Sequence, residues 1–220
     1  MSESALNKRY TPTEEGINTL SHAVAVILGL VAGYFLISKA LASKDSWALG
    51  CVIVYLIGML ASYITSTWYH GCKPGNLKEK LRKFDHAAIS LHIAASYTPF
   101  TLLILRHDGL WGWGIFTLVW LSTIVGFILS FTRLKEHSNL ETASFICMGC
   151  SILIAIKPLL DNLNAMNAMP AFWWLIGGGI SYIAGALFYS RPRVKYMHAT
   201  FHIFCLGGSI CHIIAIWMIL

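Results

Sequence analysis

The chain has 220 residues, of which 56% are hydrophobic and 12% charged, with a formal net charge of +6. A soluble domain carries about 25% charged residues, so this composition excludes one; apolar blocks of about twenty residues or more, separated by short charged stretches, indicate bilayer-spanning helices. The positive charge does not signal a nucleic-acid partner, because Lys and Arg cluster between the apolar blocks, where they report topology.

In chain order the blocks lie at about 18–42, 47–70, 84–105, 110–131, 140–160, 171–190 and 196–220, which predicts an all-α integral membrane protein with seven transmembrane helices. At about 1.5 Å per residue each block covers a hydrocarbon core of roughly 30 Å, and lipid offers no hydrogen-bond partners, so the backbone must be helical. The run from Ile17 to Ala42 is too long for a signal-peptide core of about 7–15 residues and reads as a retained span. Residues 1–17 read as a short cytoplasmic amino-terminal segment, and the short connections make 1–220 a single seven-helix membrane domain. Of the sixteen Lys and Arg residues, twelve fall on the amino-terminal side of the membrane, five of them between Lys73 and Lys83, and only Lys39, Lys44, Arg106 and Lys157 fall on the other. The positive-inside rule therefore puts the N-terminus in the cytoplasm and the C-terminus outside.

Several residues call only for packing. The six cysteines lie mostly within apolar blocks and read as reduced, and the Cys147-x-x-Cys150 pair has no basic neighbour to activate a thiol. Gly29 and Gly33 in the first span, and Gly177, Gly178, Gly179 and Gly185 in the sixth, let helices approach closely. Pro99 should kink the third span and free the carbonyl of Ala95, with the Ser96 or Thr98 hydroxyl available to compensate.

Ionisable groups inside a span are costly and suggest function. Here they gather at one end: His22 opens the first span, Ser66 and His70 close the second, Asp85 and His86 open the third, and His198 and His202 open the seventh. His198 and His202 are four residues apart, roughly 40° round a helix, so both imidazoles can reach one ion. The alternative is two solvated or capping histidines, which is weaker in a medium without water. Positions 199–201 are Ala199, Thr200 and Phe201, so the Glu of an H-E-x-x-H zincin is absent and any general base comes from another helix. His70 is the natural third ligand. Three imidazoles leave a fourth position for water, as in catalytic zinc, and Asp85 would hold that water and act as base while the metal lowers its pKa from about 15.7 towards about 7. The competing explanation for Asp85 is a helix N-terminal charge worth roughly 0.3–1 kcal/mol. His92, on nearly the face of Asp85 but two turns deeper, either lines the same cavity or bonds a neighbouring helix. His212 is turned away from such a site, His107 and His137 lie in connections, and His86 points away from Asp85.

The motifs Glu14-Glu15 through Asn18 to His22, Ser66-Thr67-Trp68-Tyr69-His70, Lys83-Phe84-Asp85-His86, Tyr97-Thr98-Pro99-Phe100, and His198-x-x-x-His202 followed by Gly207-Gly208-Ser209 and His212 stand in an order covering nearly the whole chain. In this the chain resembles the bacterial hemolysin III proteins, the inner-membrane branch of the progestin and adipoQ receptor family, which are similar to the alkaline ceramidases. The resemblance implies zinc held among Ser66, His70, His198 and His202, with Asp85 holding the metal-bound water. It also implies a supporting role for Glu15, Asn18 and His22, fixing the first helix against the zinc site. The large soluble amino-terminal region of the receptor members is missing, so adipokine-type signalling does not carry over.

Three functions follow as expectations. The first is a zinc-dependent hydrolase of a lipid amide or acyl bond, with Asp85 activating water and Ser66 steadying the oxyanion, linked to membrane lipid homeostasis in the bacterial inner (plasma) membrane. The second is a non-enzymatic sensor of membrane state in which zinc is structural. The third is a hemolysin-type pore, for which no span offers a regular row of charges. Membrane lipids are the expected partners, and sequence leaves the oligomeric state open.

Overall fold

The structure is a computed structural model that describes residues 10–132, 139–191 and 194–220. Helix α1 (Pro12–Ala42) begins at a reciprocal cap. The Thr11 hydroxyl accepts the Glu14 backbone N–H at 3.2 Å, the Glu14 carboxylate accepts the Thr11 N–H at 3.0 Å, and Pro12 brings a φ already suited to the first turn. Helices α2 (Ala48–Gly71), α3 (Asn76–Pro99), α4 (Leu110–Thr132), α5 (Asn139–Cys150), α6 (Ile156–Ala165), α7 (Met169–Tyr189) and α8 (Met197–Ile219) follow, with no strand among the described residues. A π-helical turn, Phe100–Ile104, continues α3, and a 3₁₀ turn, Ser151–Ala155, joins α5 to α6. Seven of the resulting helical runs are long and apolar enough to cross a bilayer, the fifth being α5 and α6 taken together from Glu141 to Ala165.

Three boundaries differ from the hydropathy blocks for the same reason. Helix α1 begins at Pro12 rather than 18, so the end of the 1–17 segment is helical; α3 begins at Asn76, eight residues before the apolar block; and the fifth span runs to Ala165 rather than 160. Hydropathy marks where lipid begins, whereas backbone hydrogen bonding continues a helix through polar residues beyond it. Pro99 also differs in detail. The Ser96 hydroxyl bonds the Ile93 carbonyl at 2.8 Å and Thr98 bonds Ala94 at 3.1 Å, so neither serves Ala95. Ser and Thr hydroxyls bond back to the carbonyl three or four residues earlier, and these two choose the carbonyls before Ala95.

Helix α1 packs on α2 and α8, α2 on α3, and α7 on α8, while α5 touches both α3 and α7. Helix α3 is the most deeply buried span and α4, packed outside it, is among the most lipid-facing. Between lipid-embedded helices, close packing rather than a hydrophobic drive holds the interface. Gly29 meets Met59 and Leu60, and Gly33 meets Leu56, so the first-span glycines do seat α1 on α2. Helix α2 comes close to α3 at Gly58, where a methyl group would lie 2.3 Å from the Ala95 Cβ. In the sixth span Gly178 makes room for the His212 ring and Gly185 for Phe204, whereas a methyl group at Gly179 would meet nothing within 4 Å.

Candidate metal centre

Helices α2 and α8 end and begin at the same level of the bundle, and this brings His70 to His198 and His202. One nitrogen from each ring can be chosen so that all three lie within 4.8 Å of one another. Nε2 of His70 and Nε2 of His198 are 3.0 Å apart. The ring of His202 lies 4.5 Å from that of His198 and 5.3 Å from that of His70, centroid to centroid.

The outward-facing nitrogens of two of these rings are held, and the partners decide the tautomers. Nδ1 of His70 is 2.7 Å from Glu15 Oε2; a carboxylate only accepts, so Nδ1 carries the hydrogen and Nε2 presents a lone pair to the cluster. The Ser21 hydroxyl spends its single hydrogen on the Asn18 carbonyl, at 2.8 Å, and therefore accepts from His202 Nδ1–H at 2.9 Å. His202 Nε2 is left as a donor of electrons in the same way. Such outer hydrogen bonds are what orient metal-binding imidazoles and fix their tautomer. The fit to a divalent cation thus rests on inward-facing Nε2 atoms of His70 and His202, each ring backed by an outer acceptor, with His198 Nε2 beside them.

Helix α1 supplies this backing from consecutive turns. Glu14 accepts the backbone N–H of Tyr196 at 3.1 Å, and Tyr196, in a left-handed conformation at φ +65°, is the residue from which α8 starts. His22 stacks on His202 with centroids 3.6 Å apart and 16° between the rings, and both its ring nitrogens are buried without hydrogen-bond partners among the described residues. Asn18 is buried too, but it is its main-chain carbonyl, through Ser21, that serves the cluster; nothing in the structure explains its side-chain amide.

A cavity of 390 Å³ adjoins the cluster: His198 and His202 line its wall, together with Ser66, Asp85 and His22. Asp85 lies in the third turn of α3, because that helix begins at Asn76. A macrodipole contribution fades within the first turn, so the helix-terminus explanation for Asp85 is removed. His92 lines the cavity, and its Nε2 is buried without a hydrogen-bond partner among the described residues. The cavity continues between α3, α5 and α7 as far as Ile180, which is 63% exposed on the outer surface of the bundle. Beside Asp85, His86 turns to α5 and meets Glu141 at 3.2 Å, which explains its absence from the cluster.

Of the residues singled out by sequence, His70, His198 and His202 come together, Ser66 and Asp85 line the cavity with His198 and His202, and Glu15 and His22 touch the His70 and His202 rings directly. His107 is exposed in its connection, and His137 lies outside the described residues. Sequence reasoning missed Ser21, Lys78 and Glu141, and named Glu14 within a motif without giving it a role. Ser21 adjoins His22 and could have been suspected as a hydroxyl at the depth of the histidines; Lys78 was counted only as a topology charge.

The chain's resemblances agree with this architecture. Residues 10–213 match the family described as Haemolysin-III related. The Hemolysin-3 of Bacillus cereus is 35% identical over 196 residues, covering 89% of this chain and 87% of that protein. The Hemolysin-3 homolog of Bacillus subtilis is 33% identical over 200 residues, 91% of each chain. The human Monocyte to macrophage differentiation factor is 29% identical over 219 residues, covering 96% of this chain and 87% of that one.

Proposed function

We propose, for a chain that belongs to the haemolysin III family of multi-pass membrane proteins, a zinc-dependent hydrolase acting on an amide or acyl bond of a membrane lipid. One observation carries this reading: three converging imidazoles adjoin a cavity that also holds a carboxylate and a buried hydroxyl and that extends to the lipid-facing surface. Imidazoles suit zinc, and three protein ligands with one open position are the pattern of catalytic rather than structural sites. When bound, zinc supplies Lewis acidity, polarising a carbonyl and making water nucleophilic near neutral pH.

The protein's own groups divide the remaining work. Glu15 and Ser21 hold the His70 and His202 rings with Nε2 turned inward. Asp85 accepts the proton of the attacking water on a carboxylate oxygen and returns it to the departing amine or alcohol. The Ser66 hydroxyl donates to the carbonyl oxygen as negative charge develops there, an interaction worth on the order of 10²-fold in rate. A volume of 390 Å³ falls in the usual range for small-molecule sites, about 300–1,000 Å³, and its opening between α5 and α7 supports a substrate that arrives through the bilayer.

A second reading, a non-catalytic sensor of membrane state, draws support from the number of helices joined at the cluster, where zinc would clamp α2 to α8. The experiment that separates them is zinc per chain in detergent-purified protein, followed by fatty-acid release from a panel of acyl lipids. Hydrolysis requires about one zinc in wild type, loss of zinc in His198→Ala, and retention of zinc with loss of turnover in Asp85→Ala. Folded wild type without zinc would remove the metal mechanism. Full cellular function in Asp85→Ala, with loss in each histidine variant, would move the assignment to the sensor.

A further inference from the structure

We propose that Lys78 is a positioning residue that sets the metal affinity of His70 through Glu15. This rests on the metal centre described above, and no feature of the sequence assigns Lys78 more than a charge in a basic connection.

Lysines are almost never fully buried unless paired, and Lys78 is 5% exposed. An ammonium has three N–H donors. Here all three have acceptors: Glu15 Oε1 at 2.9 Å, the Tyr69 carbonyl at 3.0 Å and the Cys72 carbonyl at 3.1 Å. The two carbonyls belong to the carboxyl-terminal end of α2, where the last carbonyls of a helix lack intrahelical partners, and His70 lies between them. The carboxylate belongs to α1 and the ammonium to α3, so one charge joins three helices at the residue before a candidate ligand.

The consequence for His70 follows from the geometry of the carboxylate. Glu15 gives one oxygen to Lys78 and the other to His70 Nδ1, at 2.7 Å. With Oε1 pinned, Oε2 is held where it accepts the His70 Nδ1–H, which fixes the ring with Nε2 turned towards His198. Without the ammonium the carboxylate is free to turn towards water, and the α2 end keeps only the Cys72 N–H bond to the Tyr69 carbonyl. The neighbouring Lys73 and Lys80 are exposed and have no such role.

The test is zinc affinity of the full-length chain in detergent, measured by competition with a chelator. Lys78→Met keeps the apolar stem and removes the charge, and is expected to weaken zinc binding by about 10- to 100-fold, the effect of losing an outer-shell partner. Glu15→Ala should weaken it similarly, and the double variant should be no weaker than Glu15→Ala alone, because Lys78 acts through Glu15. Lys80→Met should leave affinity unchanged. If Lys78→Met fails to fold, Lys78→Arg retains the charge, but its planar fork does not match three converging acceptors, and a loss of about threefold or more is expected. Affinity within about twofold of wild type in the folded Lys78 variant, or losses that add in the double variant, would overturn the inference. A wild type that binds no zinc would instead overturn the metal centre, and the two failures are distinguishable.

Discussion

Ser21 makes the chemistry of the cluster depend on one hydroxyl hydrogen. Because that hydrogen goes to the Asn18 carbonyl, the oxygen accepts from His202 Nδ1–H and leaves Nε2 available. Ser21→Ala would take the hydroxyl acceptor from the His202 Nδ1–H, leaving it only the Asn18 carbonyl, and loosen the hold on the ring's tautomer. Zinc affinity should fall by about 10-fold, and Ser21→Thr, which restores the hydroxyl, should recover most of it. Isothermal titration of zinc into the detergent-purified apo-protein reads this directly, and equal affinities for wild type and Ser21→Ala would show that His202 is oriented by packing alone. Stacking of His22 on the same ring is the competing restraint, which is why the comparison is informative.

At the scale of elements, the first turns of α1 act as a jig. Glu14 holds the start of α8 through the Tyr196 N–H, Glu15 holds the end of α2 through His70, and Ser21 reaches α8 again one turn beyond His198. A bulky residue with positive φ such as Tyr196 is a genuine outlier, and it persists where the surroundings fix it. The opposite end of the bundle is tied differently. Asp45, in the α1–α2 connection, pairs with Arg106 at 2.7 Å, and the guanidinium also lies over the Trp47 ring. Burial by itself would raise the Asp45 carboxyl. Hydrogen bonds from Arg106 and the Trp47 N–H, with the guanidinium charge, outweigh it and hold the group below its ordinary value of 3.8. A depressed folded pKa stabilises the native state fully above the unfolded value and loses that contribution as pH falls through the folded one. Melting temperature in detergent should therefore drop on acidification below about pH 4 more steeply for wild type than for Asp45→Asn; parallel profiles would show that the pair contributes nothing.

For the whole molecule, the histidine cluster lies at the end where α2 finishes and α8 begins, the end carrying most of the Lys and Arg residues in the sequence. The positive-inside rule predicts that this end is cytoplasmic. Single cysteines introduced into a cysteine-free variant should be labelled by an impermeant thiol reagent only from the cytoplasmic side at positions 73–80, and only from outside at positions 43–46. The reverse pattern would invert the orientation and put the centre on the outer face. The cavity depends on no single helix: α2 and α8 bring the clustered histidines, α3 brings Asp85, and α5 and α7 form the wall towards lipid.

Seven spans, their order and the depth of the polar residues were legible in the sequence, because lipid allows only continuous apolar helices and penalises every buried ionisable group. His70, His198 and His202 could be grouped for that reason alone, since helical spacing and span direction put them at one level. Which atoms face one another could not be read. Tautomers depend on partners 55 and 181 residues away, as Glu15 and Ser21 show, and the role of Asp85 turned on α3 starting two turns before its apolar block. Lys78 is the clearest case. Along the chain it is one of five positive charges in a basic stretch, and only the packing of three helices around its ammonium, satisfying all three donors, brings it to the cluster.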